Sequence, residues 1–251
     1  CTPVEVGLRR EAGRFVLDWA ALEASLTART RCVVLVSPAN PAGMVFHPDE
    51  VAELCELCRR RGLWLISDET YDLLTFAPAR HQSPAAMGIV DDVVVLGSFS
   101  KTFGLAGWRI GYLYGCPALV EEAIKVQDAI VVCAPVPAQL AAAAALDQAQ
   151  EYCATAVAEL ERRRDALLEE LARIPQLAPI VPDGATFVMA AFEPPGSSVD
   201  LAITIVRDAG VIAVPGAAFG PHGEGHLRLS FGNQRVGRLR EAARRLRTVF
   251  R

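Results

Sequence analysis

The sequence predicts an α/β protein: a mainly parallel sheet flanked by helices, followed by a smaller C-terminal α+β domain. Three observations carry this prediction. Short β-rich runs alternate with helical patterns as far as Tyr114. The runs Cys32–Val36, Leu63–Ser67 and Val93–Gly97 are apolar or small throughout, as parallel strands covered on both faces are. After Pro117 the chain turns helical, and beyond the long helical pattern Tyr152 to Ile174 the regime changes to a second set of strands and helices.

Taken in order, Cys32–Val36 is a strand ending at Ser37-Pro38. Pro48 to Arg61 is an amphipathic helix, with Pro48-Asp49-Glu50 suited to its first turn and Gly62 to its end. The second strand ends at Asp68 and the third at Ser98, and Ile110 to Tyr114 is a fourth. Leu119 to Asp128, Ala138 to Gln150 and Tyr152 to Ile174 read as helices. Strands then follow at Leu177 to Val181, Thr186 to Phe192, Val211 to Val214 and His226 to Phe231. Helices at Asp200 to Ala209 and Gln234 to Phe250 complete a βαβ-like tail. The boundary between the two domains falls near Ala154, dividing the chain into 1–154 and 155–251.

Composition excludes several classes. A net charge of −4 offers no basic field for nucleic acid. The arginine triplets at 59–61 and 162–164 sit beside acidic residues in helical patterns and read as solvated faces. The longest uncharged run, Ala129 to Leu146, is mostly Ala and is broken by Pro135 and Pro137, which suits no membrane span. Seven cysteines without a regular framework, and no signal peptide, point to a reducing cytoplasm. Cys55 and Cys58 form a C-x-x-C with no second pair nearby, so buried thiols explain them better than zinc. The chain starts at Cys1 rather than Met and enters domain-like sequence almost at once, as the C-terminal part of a longer protein would.

Of 25 basic residues only two are lysines, Lys101 and Lys125. A guanidinium stays protonated and forms no imine, whereas a desolvated amine can. Lys101 therefore marks a place where chemistry demands an amine. It lies just past a strand, and its neighbours decide what it does. Three strands each deliver polar groups beyond their carboxyl ends: Asn40 after the first, Asp68 and Tyr71 after the second, Ser98, Ser100 and Lys101 after the third. Open α/β sheets bind ligands outside those ends. Singly, Asp68 could cap a helix, Tyr71 pack a core, Asn40 serve a turn and Arg109 lie on the surface. Jointly, an amine, a carboxylate, a phenol, an amide, hydroxyls and an arginine fit pyridoxal 5'-phosphate. Lys101 suits a Schiff base with the aldehyde, and Asp68 the protonated pyridine nitrogen. Tyr71 and Asn40 suit the phenolic oxygen, and Ser98, Ser100 and Arg109 the phosphate.

With these residues in place, the sequence resembles the fold-type I pyridoxal-phosphate enzymes of the aspartate-aminotransferase-like class I/II group. The matching motifs are Asn40-Pro41-x-Gly43, Asp68-x-x-Tyr71, Ser98-x-Ser100-Lys101 and Gly107-Trp108-Arg109-Ile110-Gly111-Tyr112. Pro215-Gly216-x-x-Phe219-Gly220 and Leu227-Arg228-Leu229-Ser230-Phe231 follow in family order. The resemblance implies a cofactor-binding large domain over 1–154, represented by its C-terminal part, and a small domain over 155–251. It implies that Arg228 grips the substrate α-carboxylate, with Asn40 also at the substrate. It further implies an N-terminal segment, absent from this sequence, that contributes to the phosphate site, to ring stacking and to the partner subunit's site. The expected protein is a cytoplasmic homodimer of amino acid metabolism, with sites near the subunit interface.

The activity so implied is transfer of an amino group between an amino acid and a 2-oxo acid, in two half-reactions, with Lys101 as both anchor and base. Two alternatives stand beside it. A carbon–sulfur lyase or other β-elimination enzyme would carry identical cofactor motifs. A transcription regulator with a non-catalytic aminotransferase-like sensor domain would carry them too. No metal site is expected, and the amino donor is not encoded in any residue that can be assigned.

Overall fold

The computed structural model describes all residues other than Ala12, Val90 and Arg251, and only the backbone of Gln150. In chain order the elements are β1 (Leu8–Glu11), β2 (Arg14–Leu17), α1 (Trp19–Ser25), β3 (Cys32–Val36), α2 (Pro48–Arg61) and β4 (Trp64–Asp68). Then come β5 (Val93–Ser98), α3 (Phe99–Thr102), β6 (Gly111–Tyr114), α4 (Pro117–Ile130), α5 (Val136–Asp147) and α6 (Ala149–Leu171). The last are β7 (Leu177–Ile180), β8 (Phe187–Phe192), α7 (Ser198–Ala209), β9 (Val214–Pro215), β10 (His226–Ser230) and α8 (Val236–Val249).

The chain forms two compact units, and they are not two consecutive segments. One comprises Ala28–Ala39 and Val45–Val157; the other comprises Cys1–Thr27, Asn40–Met44 and Ala158–Arg251. The boundary expected near Ala154 lies close to the change of unit between Val157 and Ala158, while Cys1–Thr27 and Asn40–Met44 group with the C-terminal part. Both segments are joined to the C-terminal part by specific contacts: the Gly43 carbonyl accepts the Asp183 and Gly184 amides, and the Phe15 ring meets that of His226. Helix α6 begins in one unit and ends in the other.

The first unit is built on a four-stranded sheet in the order β3-β4-β5-β6. The first three strands are parallel, with Leu65 opposite both Val33 and Val93, and β6 runs antiparallel to β5. Helix α2 makes the crossover from β3 to β4. Its start is fixed by a capping box in which His47 accepts from the Asp49 amide while Glu50 takes the His47 amide. Pro48 opens the first turn and Gly62, at φ +61°, closes the last. Val51, Leu54, Cys55, Leu57 and Cys58 form its buried face. By contrast, β6 is exposed along its length and α4 buries none of its residues.

The second unit holds an antiparallel sheet in the order β7-β8-β10-β9. Both β8 and β9 run antiparallel to β10, so they are parallel to each other with α7 between them in sequence. The βαβ-like tail is thus a split βαβ, with β10 inserted. Ile180, Val188, Ile205, Leu227, Phe231 and Leu246 are almost wholly buried in its core. A hairpin of β1 and β2, turning at Gly13 with φ +83°, also belongs to this unit. Among the described residues, no helix is long and apolar enough to cross a membrane.

Candidate active site

In the first unit the predicted cofactor residues gather at the carboxyl ends of the neighbouring strands β4 and β5. Asp68 is the last residue of β4 and pairs in register with Leu96 of β5. Its carboxylate accepts the Thr70 amide at 3.0 Å, an Asx turn that steers the chain away from the sheet edge. Tyr71 follows, buried. Ser98 ends β5 and caps α3, its hydroxyl accepting the Ser100 amide at 3.1 Å. Lys101 rides on that four-residue helix with an exposed side chain.

Arg109 ends the short 3-10 turn Ala106–Trp108 with a left-handed backbone, φ +53°. A non-glycine residue in that region costs of order 1–3 kcal/mol and persists where its surroundings demand it. The turn aims the side chain, whose Nη1 donates to the Ala106 carbonyl at 2.9 Å. Gly97 serves a close approach. A Cβ there would fall 2.0 Å from the Tyr112 ring, which lies over the strand and meets Phe99 edge-on.

Behind these groups lies a polar cluster that the sequence reading missed. Glu69 is buried, accepts the Ser67 hydroxyl at 2.9 Å, and lies 3.2 Å from Nε2 of His81. Asp72 accepts the Leu73 amide at 2.7 Å and the buried Thr102 hydroxyl at 3.5 Å. Burial pushes the Asp72 carboxyl above its ordinary range, against the opposing pull of the Leu73 amide and of His81. No sequence pattern signals this cluster, because Glu69 and His81 belong to no spaced motif.

In the second unit, Arg228 lies on β10 and Asn40 in the Asn40–Met44 stretch, and the structure brings these two predicted residues together. Arg228 Nη1 donates to Asn40 Oδ1 at 2.8 Å. The guanidinium lies over two rings, 4.3 Å from the Phe187 centroid and 4.8 Å from that of Phe219. Such cation–π contacts are worth about 0.5–2 kcal/mol each. Phe219 stands in the quoted Pro-Gly-x-x-Phe-Gly motif, whereas nothing in the sequence points to Phe187. The Asn40 turn is pinned by Gly43, whose carbonyl accepts the Asp183 and Gly184 amides at 2.8 and 2.9 Å. Gly43 has φ +68°, and a Cβ there would lie 2.5 Å from Pro182 Cβ.

The donor set fits pyridoxal phosphate by its chemistry: an accessible amine, a half-buried carboxylate, a phenol, two hydroxyls and a guanidinium, on adjoining strand ends. The C-x-x-C pair is of another kind. Burial pushes the Cys55 thiol up to about 11 and the Cys58 thiol up to about 12, which suits inert thiols. Among the described residues, no cluster of His, Cys, Asp and Glu could hold a metal ion.

The fold is that of the type I pyridoxal-phosphate-dependent transferases, and its solved neighbours say so. The chain overlays N-succinyldiaminopimelate aminotransferase from Mycobacterium tuberculosis with a TM-score of 0.91 at 31% identity, covering 96% of this chain and 64% of that one. The family model for aminotransferase class I and II matches residues 1–246, and the chain belongs to that family. A probable aspartate/prephenate aminotransferase of Aquifex aeolicus is 35% identical over 260 residues, 99% of this chain and 64% of its own length. An arginine–pyruvate transaminase of Pseudomonas aeruginosa is 37% identical over 245 residues, 97% of this chain and 62% of its own length. The chain thus spans a little under two thirds of the relatives it matches.

Proposed function

We propose that the protein transfers an amino group between an amino acid and a 2-oxo acid, with pyridoxal phosphate as its cofactor. The observation that carries this reading is Lys101, exposed on the helix after β5, beside the strand that ends in Asp68. When bound, pyridoxal phosphate supplies an electron sink for the charge left as the substrate α-proton departs. Lys101 Nζ would hold the cofactor covalently and, when free, would accept the substrate α-proton and return it. The Asp68 carboxylate would keep the pyridine nitrogen protonated. Tyr71 and Asn40 would serve the phenolic oxygen, and Ser98, Ser100 and Arg109 the phosphate. Arg228 binds the α-carboxylate common to donor and acceptor, with Asn40 steadying it. Large-domain and small-domain roles follow for the units holding Lys101 and Arg228. A cytoplasmic homodimer is the assembly proposed, with amino acids and 2-oxo acids, not nucleic acid or membrane, as partners.

The test uses the protein reconstituted with pyridoxal phosphate. Borohydride should fix the cofactor to Lys101, and Lys101→Ala should lose both the label and nearly all turnover. A donor–acceptor panel should show one 2-oxo acid formed for each consumed, without ammonia. Undiminished labelling at Lys125 sinks the site assignment, and ammonia release without an acceptor sinks transamination in favour of elimination.

A further inference from the structure

Taking a carboxylate out of water costs several kcal/mol unless charge and hydrogen bonds compensate, and an apolar packing of equal volume often serves stability as well or better. The first unit nonetheless keeps two carboxylates, a histidine and two hydroxyls behind the carboxyl ends of β4 and β5. Ser67, Glu69 and Thr102 are buried, and the His81 side chain is only 8% exposed. The His81–Glu69 contact is one of proximity: neither buried ring nitrogen makes an aligned hydrogen bond. Packing alone gives no reason for such a group.

Its connections suggest one. Glu69 sits between Asp68 and Tyr71, and its backbone amide donates to Leu96 of β5. Asp72 closes the same turn, its amide donating to the Glu69 carbonyl. Through its carboxylate it reaches Thr102, the neighbour of Lys101 on α3. The turn bearing Asp68 and Tyr71 is therefore tied at its far end to the helix bearing Lys101. Near its start it is held by the Ser67–Glu69–His81 contacts.

We propose that Ser67, Glu69, Asp72, His81 and Thr102 form a positioning device that fixes the Asp68–Tyr71 turn relative to the Lys101 helix, and through it the environment of a bound pyridoxal ring. The inference rests on the proposed cofactor role of Lys101. Other elements also face Asp72. Tyr112 on β6 and Cys153 on α6 are both pushed up, by burial first and then by the Asp72 charge. None of the five residues need touch the cofactor. They act by holding those that do.

The variants Thr102→Val, Asp72→Asn, Glu69→Gln, His81→Gln and His81→Leu test this in the reconstituted protein. The readouts are the visible absorbance of bound cofactor across pH, its dissociation constant, kcat, KM and thermal midpoint. Displacements of ~1 Å can cost up to about 10² in rate, so kcat should fall about tenfold, with KM within about twofold. The pH midpoint of the cofactor band should move by about half a unit or more, as a changed charge environment requires. Asp72→Asn, which keeps an acceptor oxygen and removes a half-buried carboxyl group, should leave the thermal midpoint unchanged or higher. His81→Gln, which keeps a donor, should lie nearer the parent than His81→Leu. Thr102→Val is nearly isosteric, so the result stands even if Glu69→Gln fails to fold. A cofactor band and dissociation constant that stay at parental values in every folded variant overturn the proposal, even if thermal midpoints fall. Loss of labelling from Lys101 in the parent would instead overturn the reading beneath it.

Discussion

Lys101 and Arg228 are fixed in opposite ways. Arg228 is held at once by two rings and an amide, those of Phe187, Phe219 and Asn40. Lys101 stands exposed on a single helical turn, and the ordered polar contacts of its unit lie next to it, among Ser67, Glu69, Asp72 and Thr102. The difference follows from what each side chain is proposed to do. A guanidinium that only recognises a planar carboxylate gains by being preorganised. An amine that must bond, release and carry a proton has to stay mobile, so order has to be built into its surroundings.

The strongest test of that contrast is Asp68→Ala. It should spare some cofactor binding and lower kcat by about 10²-fold or more, the scale of large electrostatic contributions. A kcat near the parent's would make Asp68 a turn carboxylate and dissolve the contrast. Arg228→Lys comes next. It keeps the charge but loses the two-pronged fork, and should lower kcat/KM by about 1–3 kcal/mol for every α-amino acid alike, with the cofactor spectrum intact. An effect confined to one amino acid would move Arg228 to the side-chain end of the substrate; no effect would remove it from the site. The smallest effect concerns the thiols behind β3 and β4. With the Cys58 thiol at about 12, roughly 10⁻⁴ of it is thiolate at pH 8. Iodoacetamide at that pH should label the exposed Cys1 and Cys133 while sparing Cys55 and Cys58, with turnover unchanged. Rapid native-state labelling of Cys58 would show that its surroundings open.

The sequence made the parallel strands legible because β3, β4 and β5 are apolar runs of strand length with turn signals after them. The hairpin of β1 and β2 was not legible: Leu8-Arg9-Arg10-Glu11 is mostly charged, and the unit that the hairpin joins lies far along the chain. Gly13 between two short runs was the available signal for it, and Asp18, whose carboxylate caps α1, was another. Of the candidate site, the groups proposed to meet ligand stood in spaced motifs and could be named. Those that support them, Glu69 with His81 and Phe187 under Arg228, could not. Their pairing depends on how strands and loops close in space, and no local period records that. The two-unit division was hidden for the same reason, since Asn40–Met44 is too short to announce which core it joins.

Gly43 carries a consequence for how such a gene can drift. Its left-handed backbone, the bulk of Pro182 and the two amides gripping its carbonyl leave no volume for a side chain. Every single-base change of a glycine codon that alters the residue adds at least a methyl group or stops the chain. The codon is thus a dead end for one-step variation. Three residues upstream, Asn40 inherits its place opposite Arg228 from a position where inheritance itself has almost nowhere to go.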